Sequence, residues 1–573
     1  MVGPVLVAVP IAIYLMAALS VHRTDVRRPD NFFTAHRKVD VTVFSTSSIA
    51  YAFQMSTIFP FMIWGASNFF FVPIVNTVCW GMGILLFQLS FHGFSGFVGR
   101  DQTLHGLLGD QYGKSIRKLA SYLTITGFLG FAVAELYFGS QVLLSVSDNK
   151  RTIYITILGV SALVYIYIAY GGQMSSMRTD QLQLAISYLG FFGIILYFLY
   201  VIARSSSIVN PALTVASLAG AVYIPYVLYK RRGRFLRLAF GPRAIGFSGE
   251  ILNGLIVALL LVICVFLVIV VSKGRFPTGF AKFFDLTGFG WPGLLSLAIL
   301  PLCFQFVDLT NWQRLLSVRP SSIASDQLRK DIGRGLLIYS VESPFTWLVA
   351  IFFGALITSA VTGLNSDNLL VDLPKRLIAS GTLVGRLIGY TFILSVISVM
   401  LSTVDSFLVG IIYTFAYDSF GPTQRILDTK DTQAINSKAD YIISSGRLFG
   451  ALSLAITLVM LFIFDRAIPN GASLFVNLLL AFYSAQLSFF PLVFGVLFLQ
   501  KRPSAFWAGL SMVAGAGVGI LLGVYSVIWN PTYAWYPLLV CFGTSCTIYF
   551  LGYLQSRGSI TETEKGVALQ PLE

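Results

Sequence analysis

The sequence predicts an all-α polytopic membrane protein with about fifteen transmembrane helices, each crossing a bilayer with roughly 20 apolar residues. Three observations predict it. Apolar residues make up 56% of the chain and charged residues 11%, with a mean hydropathy of +0.78; a soluble domain carries about 25% charged residues. Apolar runs of spanning length recur along the chain, without the two-residue alternation of a membrane β-barrel. Most of the 39 lysines and arginines fall in alternate loops, the positive-inside pattern. The net charge of +14 therefore orients the chain and touches anionic lipid, rather than marking a nucleic-acid surface. Aromatics at 14% fit interfacial belts.

The first run, 4–21, lacks a basic leader and is followed by Arg23, Arg27 and Arg28. It reads as an anchor with the N-terminus outside, not as a cleaved signal. The second, 41–66, carries Ser45, Thr46, Ser47, Ser48, Gln54, Ser56 and Thr57, then Pro60. Lipid does not tolerate so many hydroxyls and amides, whereas a helix interrupted in mid-membrane and lining a cavity does. Pro60 removes a backbone donor and favours a break or kink. The other reading is a kinked interior helix with satisfied hydroxyls.

Further spans are expected at 69–96, 119–145, 153–171 and 181–203, then at 212–229 and 246–272 around a basic loop. Glu135, within 119–145, fits a gate, a proton site or a buried bonded acid, and the last is favoured. The span 291–311 ends in Pro301, Gln305, Asp308, Thr310 and Asn311. Like 41–66 it mixes a proline with polar residues, a pattern found at corresponding places of inverted repeats. The remaining spans are 336–360, 384–415, 446–465, 472–499, 504–528 and 534–555, followed by a short polar cytoplasmic tail.

Within 384–415 the hydroxyls of Ser395, Ser398, Ser402 and Ser406 share one helical face, and Asp405 follows Ser402 by three residues. Thr403 lies at the edge of the stripe. These oxygens suit a small hard cation, or they bond neighbouring helices. The aspartate favours an ion path, because an acid at membrane depth is functional by default. The cysteines show no metal spacing, and no nucleophile–base set or cofactor loop stands out, so an enzyme is not expected.

Six stretches, in order, resemble the sodium:solute symporter family. Asp30-Asn-Phe-Phe-Thr-Ala-His-Arg37 resembles its FF-AGR motif. Thr103 to Gly113 resembles its T-----F---RYG loop, with Gln111 in place of arginine. Tyr170-Gly171-Gly172 with Thr179-Asp180 and Gln183 resembles YGG-----TD--Q. Asp308 to Arg314 resembles D---WQR, Leu401 to Ser406 resembles LST-DS, and Pro491 to Gly495 with Lys501-Arg502 resembles P---G---KR.

The resemblance implies a leucine-transporter-like fold of two inverted five-helix repeats, 41–203 and 291–499. Residues 1–40 form an added N-terminal helix and loop. Residues 204–290 form an extra hairpin, 500–556 hold C-terminal helices, and 557–573 form the tail. It implies Na⁺-coupled symport of a small polar organic solute across the cell membrane by alternating access, with the C-terminus cytoplasmic. A Na⁺ site is implied on the carbonyls of Ala52, Met55 and Val399 and the hydroxyls of Ser402 and Thr403. A second Na⁺ site, present in some members, falls on Asp180, Ser402, Asp405 and Ser406; Asp180 otherwise reads as an acid at a helix N-terminus. Solute contacts are implied for Gln54, Ser56, Thr57, Gln305 and Asp308, although Asp308 also reads as a helix cap. Gln54 stands where relatives often carry Asp or Asn, which leaves the solute unnamed. Proton coupling, and a sensor acting with a separate signalling partner, are the alternatives.

Overall fold

The computed structural model describes residues 14–16, 27–99, 103–147, 149–205, 286, 288–319, 327–361, 364, 368–429, 431–467, 472–499 and 502–558. Nearly all of span 4–21, the hairpin 212–272 and the tail beyond Gly558 lie outside the described residues. The polar, interrupted span 41–66 forms two helices, α2 (Val41–Ala52) and α3 (Met55–Ala66), bent by 54°. A short α1 (Pro29–Thr34) precedes them. Next come α4 (Phe71–Gly99), α5 (Leu104–Tyr112), α6 (Lys114–Leu143) and α7 (Lys150–Ser205). The second half holds α8 (Gly290–Val307), α9 (Leu309–Ser317), α10 (Gln327–Ala360), α11 (Leu369–Ala379) and α12 (Leu383–Thr414), the last continuing into a π turn at Phe415–Ser419. Then follow α13 (Gly421–Asp428), α14 (Thr432–Ser437), α15 (Ala439–Ala467), α16 (Ala472–Leu487), α17 (Phe490–Phe498), α18 (Ala505–Ile528) and α19 (Tyr536–Gly558).

Ten helices among the described residues are long and apolar enough to cross a bilayer, and the bent α2–α3 pair makes one more. At 1.5 Å per residue α7 is about 84 Å long, far more than one bilayer core of about 30 Å. Gly172, at φ 57° and ψ −144°, divides it into two crossings. With that division, every expected span on described residues has its helix. A side chain at Gly172 meets the Phe32 carbonyl at 2.0 Å, so the N-terminal motif presses directly on the glycine turn.

Three expectations shift. Pro60 does not make the break: it sits inside α3, and the chain leaves helical geometry earlier, at Phe53 and Gln54. Pro301 likewise stays inside α8, so the expected interruption of span 291–311 falls not at the proline but at Asp308. Span 472–499 also breaks, between α16 and α17. In the first two cases the proline only frees a carbonyl one turn back. For Pro301 that carbonyl belongs to Leu297, and Asn76 Nδ2 donates to it at 2.7 Å.

The core is built around α12, whose membrane-depth residues are almost wholly buried against α7, α6, α2 and α11. Helices α3 and α10 approach closely: a Cβ on Gly65 meets the Ile351 carbonyl at 1.8 Å, and one on Gly354 meets the Met62 carbonyl at 1.9 Å. Small residues that let helix backbones meet are the usual glue where lipid supplies no hydrophobic drive.

Four loops rich in Lys and Arg gather at one end. Val39 pairs with Val318 as a parallel bridge, Tyr417 donates to Asp30 at 3.1 Å, and Arg117 Nη1 donates to Asp428 at 3.0 Å. At the same end Asp418 accepts from Arg117 Nε at 2.7 Å and from Thr103 at 2.8 Å, and lies 3.0 Å from His105 Nδ1. Helix α2 leaves this end and α9 arrives at it, so the two broken spans run in opposite directions, as inverted repeats require.

Candidate functional site

The interruption after Ala52 exposes backbone groups that must find partners, because mid-membrane they have no water. All four first-turn N–H groups of α3 are satisfied. Thr57 and Ile58 donate to the Gln54 carbonyl at 3.2 and 2.8 Å. Met55 and Ser56 donate to the two carboxylate oxygens of Glu135, each at 2.9 Å, and the Ser56 hydroxyl also bonds Glu135. Across the gap, the Ala52 carbonyl accepts from the Trp347 indole at 3.1 Å. Glu135 is therefore a buried, bonded acid that holds the break open. Its aspartate counterpart, Asp308, caps α9: Oδ1 accepts from Thr310 N at 2.9 Å and Thr310 Oγ1 at 2.6 Å.

On α12, Thr403 donates to the Val399 carbonyl at 3.0 Å, and Ser402 donates to Asp180 Oδ1 at 2.6 Å. Helix α12 packs against both α2 and α3, so Ser402 and Thr403 lie on the helix that faces the Ala52–Met55 interruption. Ser47 of α2 completes the link by donating to Asp180 Oδ2 at 2.5 Å. Asp405 stands in its own hydroxyl cluster, accepting from Tyr167 at 2.5 Å and Ser176 at 2.9 Å.

The residues of the implied second cation set have a positive partner from the protein itself. Arg314 is 1% exposed. Its Nε donates to Ser47 at 3.0 Å and its Nη2 to Ser406 at 2.8 Å, with Nη2 3.8 Å from Asp180 Oδ2. The guanidinium lies 4.8 Å from the centre of the Tyr51 ring. The positive-inside pattern treats Arg314 as a loop charge; the structure corrects that, since the side chain turns inward at the end of α9.

A cavity of about 60 Å³ lies between the two proline-bearing half-helices α3 and α8, walled also by α4, α10 and α16. Ser56 and Thr57 line it with Trp64, Trp80, Trp347 and Tyr483. Gln54, Gln305 and Asp308 are buried but are not on its wall. Close by, Tyr51 OH, Trp80 Nε1, Gln305 Nε2, Asp308 Oδ2 and Tyr339 OH are buried without a partner at full hydrogen-bond geometry, Tyr51 lying beside Asp308 and Thr310, and Tyr339 beside Trp80. Tyr51 and Tyr339 lie within electrostatic reach of Asp308, and Tyr483 within reach of both Asp308 and Glu135. Polar groups this loosely satisfied are uncommon in native interiors.

Sequence reasoning names the acids at 135, 180, 308 and 405, and Ser47 as part of the polar run in 41–66, but misses Tyr51, Glu342 and the inward turn of Arg314. Glu342 is buried, with Oε1 accepting from Thr346 at 2.8 Å and Oε2 unpaired. The available signal is an acid or arginine inside an apolar stretch, which is a functional pointer in any membrane span.

No family model matches the chain, and no curated protein matches it by sequence. Solved structures do match. A Na⁺-coupled sialic acid symporter, in a substrate-bound outward-open state, aligns over 98% of this chain and 98% of its own, at 14% identity and a TM-score of 0.59. MHP1, a nucleobase-cation-symport-1 family transporter in a closed conformation with bromovinylhydantoin bound, aligns over 93% and 97% at 11% identity and a TM-score of 0.46. At these identities the likeness to the first establishes the fold: an all-helical transporter fold of the leucine-transporter type.

Proposed function

We propose that the protein is a secondary active transporter that couples a cation to the uptake of a small polar organic solute by alternating access. One observation carries this reading. Two helices running in opposite directions are both interrupted at membrane depth, and a buried carboxyl stands at each interruption, Glu135 at α3 and Asp308 at α9. Glu135, Asp180, Asp308, Glu342 and Asp405 are each at most 2% exposed, against Arg314 as the single buried arginine among the described residues. Uncompensated charge at this depth is costly, so the surplus of acid has to be neutralised by protons or by a mobile cation.

Na⁺ is the proposed ion, held by the carbonyls of Ala52, Met55 and Val399 and the hydroxyls of Ser402 and Thr403. Asp180, Asp405 and Ser406 are proposed to work as a set whose positive charge is Arg314, giving one coupled Na⁺ rather than two. Ser56 and Thr57 touch the solute directly, while Gln54, Gln305 and Asp308 shape the floor of its site. The chain sits in the cell membrane with its N-terminus outside and its C-terminus in the cytoplasm; the gathering of basic loops at one end supports that orientation.

Each charge crossing 100 mV yields about 2.3 kcal/mol and a tenfold gradient about 1.4 kcal/mol more, which sustains accumulation of several hundredfold per ion. Uptake of a radiolabelled solute panel into proteoliposomes, with and without an inward Na⁺ gradient, tests the proposal. Solute uptake independent of any cation gradient would sink it. Proton coupling is the second reading, favoured by the Asp405 cluster of hydroxyls; uptake driven by a pH gradient in Na⁺-free buffer selects it.

A further inference from the structure

Half-helices interrupted at membrane depth offer their N-terminal N–H groups to anionic parts of a solute. Here that offer is already taken. Glu135 reaches from α6 and binds the Met55 and Ser56 N–H groups at 2.9 Å each, and Gln54 takes the other two. Glu135 is fully buried. The end of α3 has no backbone donor left for a second carboxylate, and the Glu135 carboxyl stands beside Ser56 on the cavity wall.

The rest of the site points the same way. The one positive side chain nearby, Arg314, is engaged by Ser47, Ser406 and Asp180. The Asn76 amide on the cavity wall donates to Leu297. What remains beside the cavity carries no positive charge: the Asp308 carboxyl, the hydroxyls of Tyr51 and Tyr339, the Trp80 indole and the Gln305 amide. Aromatic faces at Trp64, Trp80, Trp347 and Tyr483 complete the wall, and such faces attract cations and apolar rings.

We infer that Glu135 is the specificity-determining residue of this site: it occupies the anion position of α3, so the protein takes a neutral or cationic solute and excludes carboxylates. Binding a carboxylate would place two like charges at one helix end, the kind of mismatch that gives a site its selectivity. The inference rests on the transport reading for its consequence, but its physical core is a helix end filled by the protein's own acid.

The test uses the full-length purified protein and its Glu135→Ala variant, melted in sodium formate against equimolar sodium chloride. The variant is expected to melt lower than wild type in chloride and to regain stability saturably in formate, while wild type ignores formate. A variant indifferent to formate, or a wild type stabilised by it equally, overturns the inference. Wild type supplies a second measurement that needs no variant: phenylacetate, phenylacetamide and phenethylamine share one ring and differ in charge. The amide or the amine is expected to bind at least about tenfold more tightly than the acid, a gap of about 1.4 kcal/mol. Saturable stabilisation by phenylacetate equal to that by the amide overturns the inference and leaves the transport proposal standing. Formate rescue without any solute uptake does the reverse.

Discussion

Replacing Asp180 with asparagine removes the carboxylate nearest the buried guanidinium of Arg314. The two charges lie 3.8 Å apart, which corresponds to about 4 kcal/mol at an effective dielectric of about 20. Removing one partner of a buried pair typically costs about 3–5 kcal/mol, because the other charge stays desolvated. Asp180→Asn and Arg314→Met are each expected to destabilise by about that amount. The double variant is expected to lose less than their sum, by about 2–3 kcal/mol, since it strands neither charge. The assay is equilibrium unfolding in lipid–detergent micelles, followed by tryptophan fluorescence, for the four members of the cycle. Arg314→Met carries a second signature. It leaves Asp180, Ser47, Ser402 and Ser406 as an oxygen cage without its cation, so its stability is expected to rise with Na⁺ more steeply than that of wild type. Single effects that add to within about 0.5 kcal/mol, with no added response to Na⁺, would refute the view that Arg314 is the resident cation of this set.

Ser402→Ala and Thr403→Ala are expected to raise the Na⁺ concentration for half-maximal uptake about tenfold each, roughly one lost charge-assisted contact; exposed Leu521→Val serves as the control that leaves it unchanged. Gly354→Ala puts a methyl 1.9 Å from the Met62 carbonyl and is expected to cost about 1–3 kcal/mol by prying α3 from α10, read as a lower melting temperature. Asn76→Leu strands the Leu297 carbonyl that Pro301 frees, at a cost of about 1–3 kcal/mol. Pro301→Ala in the Asn76→Leu background restores a backbone donor and is expected to recover part of that loss; no recovery in thermal melts counts against the pairing.

The sequence by itself determined the class and the layout. Hydropathy is a local property, and a bilayer of fixed thickness turns it into spans, so each expected span on described residues has its helix. The polar stretch around Gln54 signalled an interrupted helix for the same local reason: so many hydroxyls and amides in one span cannot all face lipid. The Ala52 and Met55 carbonyls implied by the resemblance do flank the first break, whereas the prolines point to the wrong places, because a proline removes one hydrogen bond and a helix survives that. The breaks fall instead at Phe53–Gln54 and Asp308, where Glu135, Trp347 and Thr310 offer the backbone and side chains better partners.

What only the tertiary structure decided is which charge meets which. Ser402 and Asp180 lie 222 positions apart, Ser56 and Glu135 79, and Arg314 and Ser406 92. No periodicity reaches across such separations, and a buried charge chooses its partner by packing. Arg314 read as one more basic loop residue until α9 turned it inward, and Glu135 read as a buried bonded acid with no named partner until α6 delivered it to the end of α3.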